Sequence, residues 1–157
     1  MTPDLPERFG LAPSDLVVTA QTIADLQLES GMIPWFPNGH TDPWNHVEAA
    51  MALATCGLID EAAAAYDWLA GIQRPDGAWC NYYVAGPDGE TVVEDDKLDA
   101  NCVAYLAAGI HHLQLTTGDN RFVERYWPSI ERAIEFVLRL QTERGEILWA
   151  RHPDGRP

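Results

Sequence analysis

Three times along this chain a glutamine is followed four residues later by a glycine and shortly afterwards by a tryptophan: Gln27, Gly31, Trp35; Gln73, Gly77, Trp79; and Gln141, Gly145, Trp149. Each glutamine follows an apolar residue (Leu26, Ile72, Leu140), with another one turn earlier (Ile23, Leu69, Val137). A helix-period apolar pattern that stops at the same punctuation three times predicts a repeated structural unit. Glycine supplies the positive φ that ends a helix, the glutamine amide can bond backbone groups the helix end leaves free, and the tryptophan can pack back on that end. Units of this kind stack, because none buries its apolar face alone.

Between these marks the pattern predicts five helices. Pro13-Ser14 opens the first, over 14–28, with Leu16, Val17, Ala20, Ile23 and Ala24 at three- and four-residue steps. Asp42-Pro43 is a cap and first-position pair for the second, over 43–56, which Gly57 ends. Four consecutive alanines sit in the third, 59–73. Residues 74–97 hold Pro75, Gly77, Gly86, Pro87 and Gly89 and predict a long loop with a short hairpin at Gly86-Pro87-Asp88-Gly89. The fourth helix is placed at 98–116, ending near Gly118, and the fifth after Trp127-Pro128 up to Gln141. No period-two pattern competes, so residues 1–157 read as one all-α domain.

Charge removes several function classes. Twenty-four acidic against ten basic residues give a formal charge of -14, which repels nucleic-acid phosphates and anionic lipid headgroups. The first residues lack a basic region followed by an apolar stretch, and no run reaches the ~18 apolar residues of a membrane span. A cytoplasmic protein is expected. Cys56, Cys80 and Cys102 show no CxxC spacing, so neither a disulfide framework nor a cysteine zinc site is signalled.

The repeat resembles the Gln-Trp repeats of squalene cyclases and of their toroid relatives the protein prenyltransferases, and the layout also looks like six-hairpin glycosidases of the glucoamylase kind. The segments Ile33-Pro-Trp-Phe-Pro-Asn-Gly-His-Thr-Asp-Pro-Trp-Asn-His46, Asp99-Ala-Asn-Cys-Val-Ala-Tyr105 and Gly145-Glu-Ile-Leu-Trp-Ala-Arg151 are similar to an actinobacterial family that commonly carries a prenyltransferase label. The resemblance implies an α/α toroid of helical hairpins, here a partial toroid of about five to six helices that forms the N-terminal part of a larger one. Its open flanks would leave apolar surface able to drive self-association.

In an up-down array, loops alternate between two ends, so the three Gln-Gly-Trp loops share one end with the starts of helices two and four. That end collects Trp35, Phe36, His40, Asp42, Trp44, Asn45, His46 and Glu48 from the first loop and helix, Trp79, Asn81, Tyr82, Glu94, Asp95, Asp96, Asp99 and Asn101 from the second, and Trp149 and Arg151 from the third. Carboxylates and carboxamides framed by aromatic faces suit sugars, whose apolar faces stack while their hydroxyls take hydrogen bonds. Glycoside cleavage uses two carboxyl groups. Glu48, Asp95 and Asp99 are the catalytic candidates, and Trp35, Phe36, His40, Asp42, Trp44, Asn45, His46, Trp79, Tyr82, Asn101, Trp149 and Arg151 the substrate-binding ones. Asp42 and Asp99 also fit helix caps, and Glu94 to Asp96 a solvated loop.

Two other readings stand beside the sugar one. Isoprenoid cyclases protonate an alkene with the middle acid of Asp-x-Asp-Asp, which Val93-Glu94-Asp95-Asp96 approaches without its first acid. A helical-repeat scaffold without catalysis is the third. His40, Asp42 and His46 have no helical metal-ligand spacing, so neither metal nor cofactor is expected; the expected partner is a small molecule or oligosaccharide.

Overall fold

The computed structural model describes Gly10 and residues 12–154, and the amino-terminal residues read above for a leader lie outside the described residues. Its helices are α1 (Pro13–Leu26), α2 (Pro43–Thr55), α3 (Ile59–Gly71), α4 (Ala100–Thr117) and α5 (Asn120–Leu138). Short strands β1 (Tyr82–Ala85) and β2 (Thr91–Asp95) form an antiparallel hairpin around the expected turn. A second pair joins β3 (Leu98–Asp99) to β4 (Ala150–Arg151).

Capping fixes where the helices begin. The Asp42 carboxylate accepts the Asn45 N–H at 3.0 Å with Pro43 next to it, and Asp99 accepts the Asn101 N–H at 2.8 Å. Each such cap stabilises its helix by about 1 kcal/mol. The fifth helix departs from expectation: it starts at Asn120, capped by Asp119 accepting from the Arg121 N–H at 2.9 Å, and Pro128 lies inside it. Proline lacks the N–H that would bond the Glu124 carbonyl. Both residues are exposed, so water can serve that carbonyl, while Tyr126, Ile130, Ala133 and Phe136 carry the buried stripe past the proline.

α2 packs on α3 and on α4, α4 packs on α5, and α1 lies more lightly against α2. Small side chains at the α2–α3 contact (Ala50, Ala54, Ala62, Ala65) bring the backbones close, and Leu53, Tyr66, Leu69, Val103, Leu106, Ile110 and Phe136 fill the space between helices. Each such buried aliphatic or aromatic side chain contributes roughly 1.5–3 kcal/mol of transfer free energy. Among the described residues no helix is long and apolar enough to cross a membrane.

The repeat has a more specific joint than the helix-end bond expected from sequence. The Gln27 Nε2 donates to the Gly31 carbonyl across the turn and to the Glu61 carbonyl of α3, both at 3.0 Å. Gln73 repeats this on the Gly77 carbonyl and on the Ser129 carbonyl of α5, both at 2.9 Å. Gln141 closes its own turn on the Gly145 carbonyl at 3.1 Å. The three glycines have φ of 94°, 89° and 94°. A Cβ on Gly31 would collide with the Ala64 carbonyl oxygen, and one on Gly77 with that of Arg132. The turns after α1 and α3 are thus pressed onto the next helix but one by main-chain contacts. Trp79 folds back as expected, its indole N–H donating to the Leu69 carbonyl at 2.7 Å, whereas Trp35 and Trp149 do not.

Candidate functional site

Three loops that are distant in sequence are sewn into one surface. Thr41 and Tyr83 exchange two backbone hydrogen bonds of 2.9 Å, tying the loop before α2 to β1. β3 and β4 pair Leu98 with Arg151 and Asp99 with Ala150, and the Ala100 N–H donates to the Trp149 carbonyl at 2.8 Å. The helix starts at Asp42 and Asp99 therefore stand among all three loops.

The first loop and β1 build an aromatic box. His40 stacks on Tyr82 with centroids 4.4 Å apart, and Trp35 meets His40 edge-on at 4.8 Å. Phe36 lies 6.0 Å from His40, and the His40 Nδ1 is 3.3 Å from the Glu94 carboxylate. Beneath the box, Asp42 accepts from the Trp35 indole at 2.7 Å and from the Asn45 side chain at 2.8 Å, so this buried carboxylate orients both groups while it caps α2.

One turn along α2 a second arrangement faces solvent. Trp44 and Tyr105 stack nearly parallel, with centroids 4.0 Å apart and 6° between planes. Both aim their donors at one oxygen of Glu48: the indole N–H at 3.1 Å and the phenol at 2.8 Å. That bond, with some burial, raises the Tyr105 pKa, because the carboxylate disfavours a neighbouring phenolate. Glu48 is an exposed carboxylate with a fixed orientation beside a flat aromatic pair.

A third cluster lies on β2 and its exit. Burial disfavours the Asp95 charge, but the Lys97 N–H at 3.1 Å and the Asn81 carboxamide at 2.8 Å outweigh it and hold this carboxyl below the ordinary range. A carboxyl held ionised is a poor proton donor, which weighs against the alkene-protonating role that the cyclase reading requires. Asp96 lies 3.3 Å from the His152 Nδ1, and the Lys97 ammonium sits 4.9 Å over the exposed Trp149 ring. Tyr82 joins the clusters. Burial first, then the charges of Asp42, Asp95 and Glu94, raise its pKa. Beside it, burial and the charges of Asp99 and Asp42 push the Cys102 thiol up to about 12, so it remains a neutral thiol.

Several expected mouth residues are placed elsewhere. Trp79 is core, closed over by its bond to Leu69. His46 is core as well: its Nδ1 faces the Ile33 N–H at 3.3 Å and its Nε2 the Ala65 carbonyl at 2.9 Å, which a neutral ring protonated on Nε2 satisfies. Burial drives its pKa to about 4. Asp99 is a buried cap, and Asn101 is exposed beside it. The Arg151 guanidinium turns towards α5, 5.0 Å over the Phe136 ring. Tyr105, Cys102 and Lys97 are the additions that sequence reasoning missed. Tyr105 stands four residues after Asn101, hence on the same face of α4, a signal that was available; Lys97 carried none. Among the described residues no group of three or more His, Cys, Asp or Glu is arranged to hold a metal ion.

No family model matches the chain. Over 145 residues, 92% of this chain, the sequence is 51% identical to an MMP endo-(1,4)-3-O-methyl-alpha-D-mannosidase of Mycolicibacterium hassiacum. The chain is similar to a mannosidase. It spans 39% of that enzyme's length. Two solved structures share the fold: endoglucanase Cel10, a family 8 glycosyl hydrolase from Klebsiella pneumoniae, with a TM-score of 0.60 at 12% identity over 79% of this chain and 39% of that one; and cellobiose 2-epimerase from Bacillus thermoamylovorans, with 0.61 at 13% over 88% and 39%. The architecture is thus a mostly helical one that matches part of an α/α toroid. The prenyltransferase label expected from the resemblance does not hold: a relative matched across nearly the whole chain carries a mannosidase name.

Proposed function

We propose that this chain forms part of the sugar-binding cleft of a glycoside hydrolase whose substrates are (1,4)-linked 3-O-methyl-α-D-mannosides. The observation that carries the proposal is the 51% identity to a mannosidase of that specificity over 92% of the chain. The mouth supplies compatible chemistry. The flat Trp44–Tyr105 pair offers a stacking face for a pyranose ring, and the exposed Trp35 and Phe36 offer apolar contact for methyl ethers. Glu48, Glu94 and Asp95 offer acceptors for sugar hydroxyls.

Hydrolysis protonates the leaving oxygen at one carboxyl and delivers water to the anomeric carbon at another. In this proposal Glu48 is the oriented carboxylate that activates water, with Trp44 and Tyr105 holding its shared oxygen. Asp95 binds and positions substrate, and Asp42 positions the box.

Titration of intrinsic tryptophan fluorescence tests the reading, using (1,4)-linked 3-O-methyl-α-mannose oligosaccharides, maltooligosaccharides and prenyl diphosphates as separate series. A saturable change with the methylmannosides, lost in Trp44→Ala and kept in Glu48→Gln, is the expected result. Saturation by prenyl diphosphates alone would overturn the proposal, and silence from every series would leave the scaffold reading in its place.

A further inference from the structure

The aromatic box encloses a side-chain atom that has no hydrogen-bond partner among the described residues. The His40 Nε2 is buried and unpaired, although the side chain as a whole is 28% exposed. Folded proteins seldom leave an enclosed polar atom without a partner, so such an atom marks a place where a further polar group completes the structure.

The other ring nitrogen fixes what this atom can do. Nδ1 lies 3.3 Å from the Glu94 carboxylate, which as an ionised group only accepts hydrogen bonds. A neutral imidazole facing it carries its hydrogen on Nδ1, which leaves Nε2 a lone pair and no hydrogen. Turning the ring over would break the Glu94 contact. The ring also stacks on Tyr82 with centroids 4.4 Å apart, and the next residue, Tyr83, is fastened to Thr41 by two backbone bonds of 2.9 Å. The acceptor is thus built into the joint between the first loop and β1.

The two exposed walls of the box differ in how they are held. The Trp35 indole is tied to Asp42 at 2.7 Å. The Phe36 ring has only apolar support: it rests on Gly39, where a Cβ would come within 2.8 Å of it, and the residue is 53% exposed. Phe36 is the wall that can turn aside to admit a ligand to Nε2.

The chemistry of a methylmannoside narrows the partner, and here the inference rests on the function proposed above. In a (1,4)-linked chain of 3-O-methylmannose, O3 carries the methyl group and O4 the linkage, so an interior sugar has hydrogens to donate only on O2 and O6. O2 is the neighbour of the methylated oxygen. An acceptor set between aromatic faces suits a hydroxyl whose neighbour carries a methyl group. We infer that the His40 Nε2 accepts the 2-hydroxyl of one 3-O-methylmannose unit while the adjacent methyl group lies on Trp35 and Phe36, which makes His40 a specificity-determining residue of the cleft.

Tryptophan-fluorescence titration of the full chain tests this with a (1,4)-linked 3-O-methyl-α-mannose oligosaccharide and with its 2-deoxy, 6-deoxy and unmethylated analogues. His40→Phe keeps a ring for the Tyr82 stack and removes the acceptor. It is expected to weaken the parent and the 6-deoxy analogue about tenfold, the loss of about one good hydrogen bond, and to leave the 2-deoxy analogue unchanged. Phe36→Ala is expected to shrink the preference for the methylated over the unmethylated ligand. Equal losses for every ligand in His40→Phe, or indifference of the 6-deoxy rather than the 2-deoxy analogue, would overturn the inference while leaving the proposed function standing. No binding of the parent to the unaltered chain would overturn both. Nitrogen-15 NMR of the unaltered chain decides without a variant: the His40 Nε2 resonance should move with the parent and not with the 2-deoxy analogue, and a hydrogen found on Nε2 of the neutral ring would refute the assignment.

Discussion

Replacing Gly77 and Gly145 by alanine in separate proteins isolates what the inter-helix joint contributes. Both glycines have the same backbone conformation, φ 89° and 94°, so each alanine meets the left-handed penalty of about 1–2 kcal/mol. They differ in what the new methyl group encounters. At Gly77 it collides with the Arg132 carbonyl oxygen of α5, a backbone atom that cannot swing aside; at Gly145 it meets only the Gln141 side-chain nitrogen, at an ordinary contact distance of 3.9 Å. Overpacking of this kind adds about 1–3 kcal/mol. Gly77→Ala is therefore expected to lose about 2–5 kcal/mol and Gly145→Ala about 1–2 kcal/mol. Urea unfolding followed by tryptophan fluorescence, at a concentration where the chain is monomeric, reads the difference as a midpoint shift at constant slope. At roughly 2–4 °C per kcal/mol for a chain of this size, thermal midpoints should separate visibly too. Equal losses at the two positions would refute the claim that the turn is pressed onto the next helix but one, leaving the glycines as ordinary helix ends.

Two more outcomes follow from burial. The native state keeps His46 neutral down to about pH 4, while the unfolded chain takes a proton near 6.5, so between those values unfolding binds protons and stability rises with pH. Lowering the pH from 6.5 to 4 should cost about 3 kcal/mol through this residue, at about 1.4 kcal/mol per unit; urea titrations across that range should show a shallower pH dependence in His46→Gln, and an identical dependence would contradict the assignment. Trp79→Phe leaves the Leu69 carbonyl buried without its indole donor and should destabilise by about 2 kcal/mol, against about 0.5 kcal/mol or less for Trp149→Phe, so matching midpoint shifts would argue against the different roles assigned to these two repeat tryptophans.

Where local chemistry decides, sequence reading and structure agree. Asp42-Pro43 capped α2, Gly57 and Gly118 ended helices, and Gly86-Pro87-Asp88-Gly89 made the hairpin turn, because each depends on backbone preferences of a few adjacent residues. The departures have tertiary causes. Pro128 looked like a helix start, but the apolar stripe of Phe122, Val123 and Tyr126 already ran at helical spacing before it, and a solvent-facing proline is tolerated inside such a helix. Trp79 and His46 were expected at the mouth on chain position alone; whether a side chain at a loop turns outward or inward depends on which carbonyl lies within reach, and those carbonyls, of Leu69 and Ala65, belong to α3. The strand pair that brings β4 to β3 joins residues about fifty apart, and two-residue strands leave no alternation to read.

The glutamine joint recognises main-chain oxygens, which every amino acid carries. Glu61 and Ser129 have nothing in common as side chains, yet they serve the same contact. Receiving positions can therefore drift without selection holding any particular residue there, and only the glutamine and glycine of the donating turn stay constrained. Hairpins built this way can diverge until little more than two letters per repeat betrays their common plan. An architecture so indifferent to sequence leaves its loops free to be rewritten for new ligands.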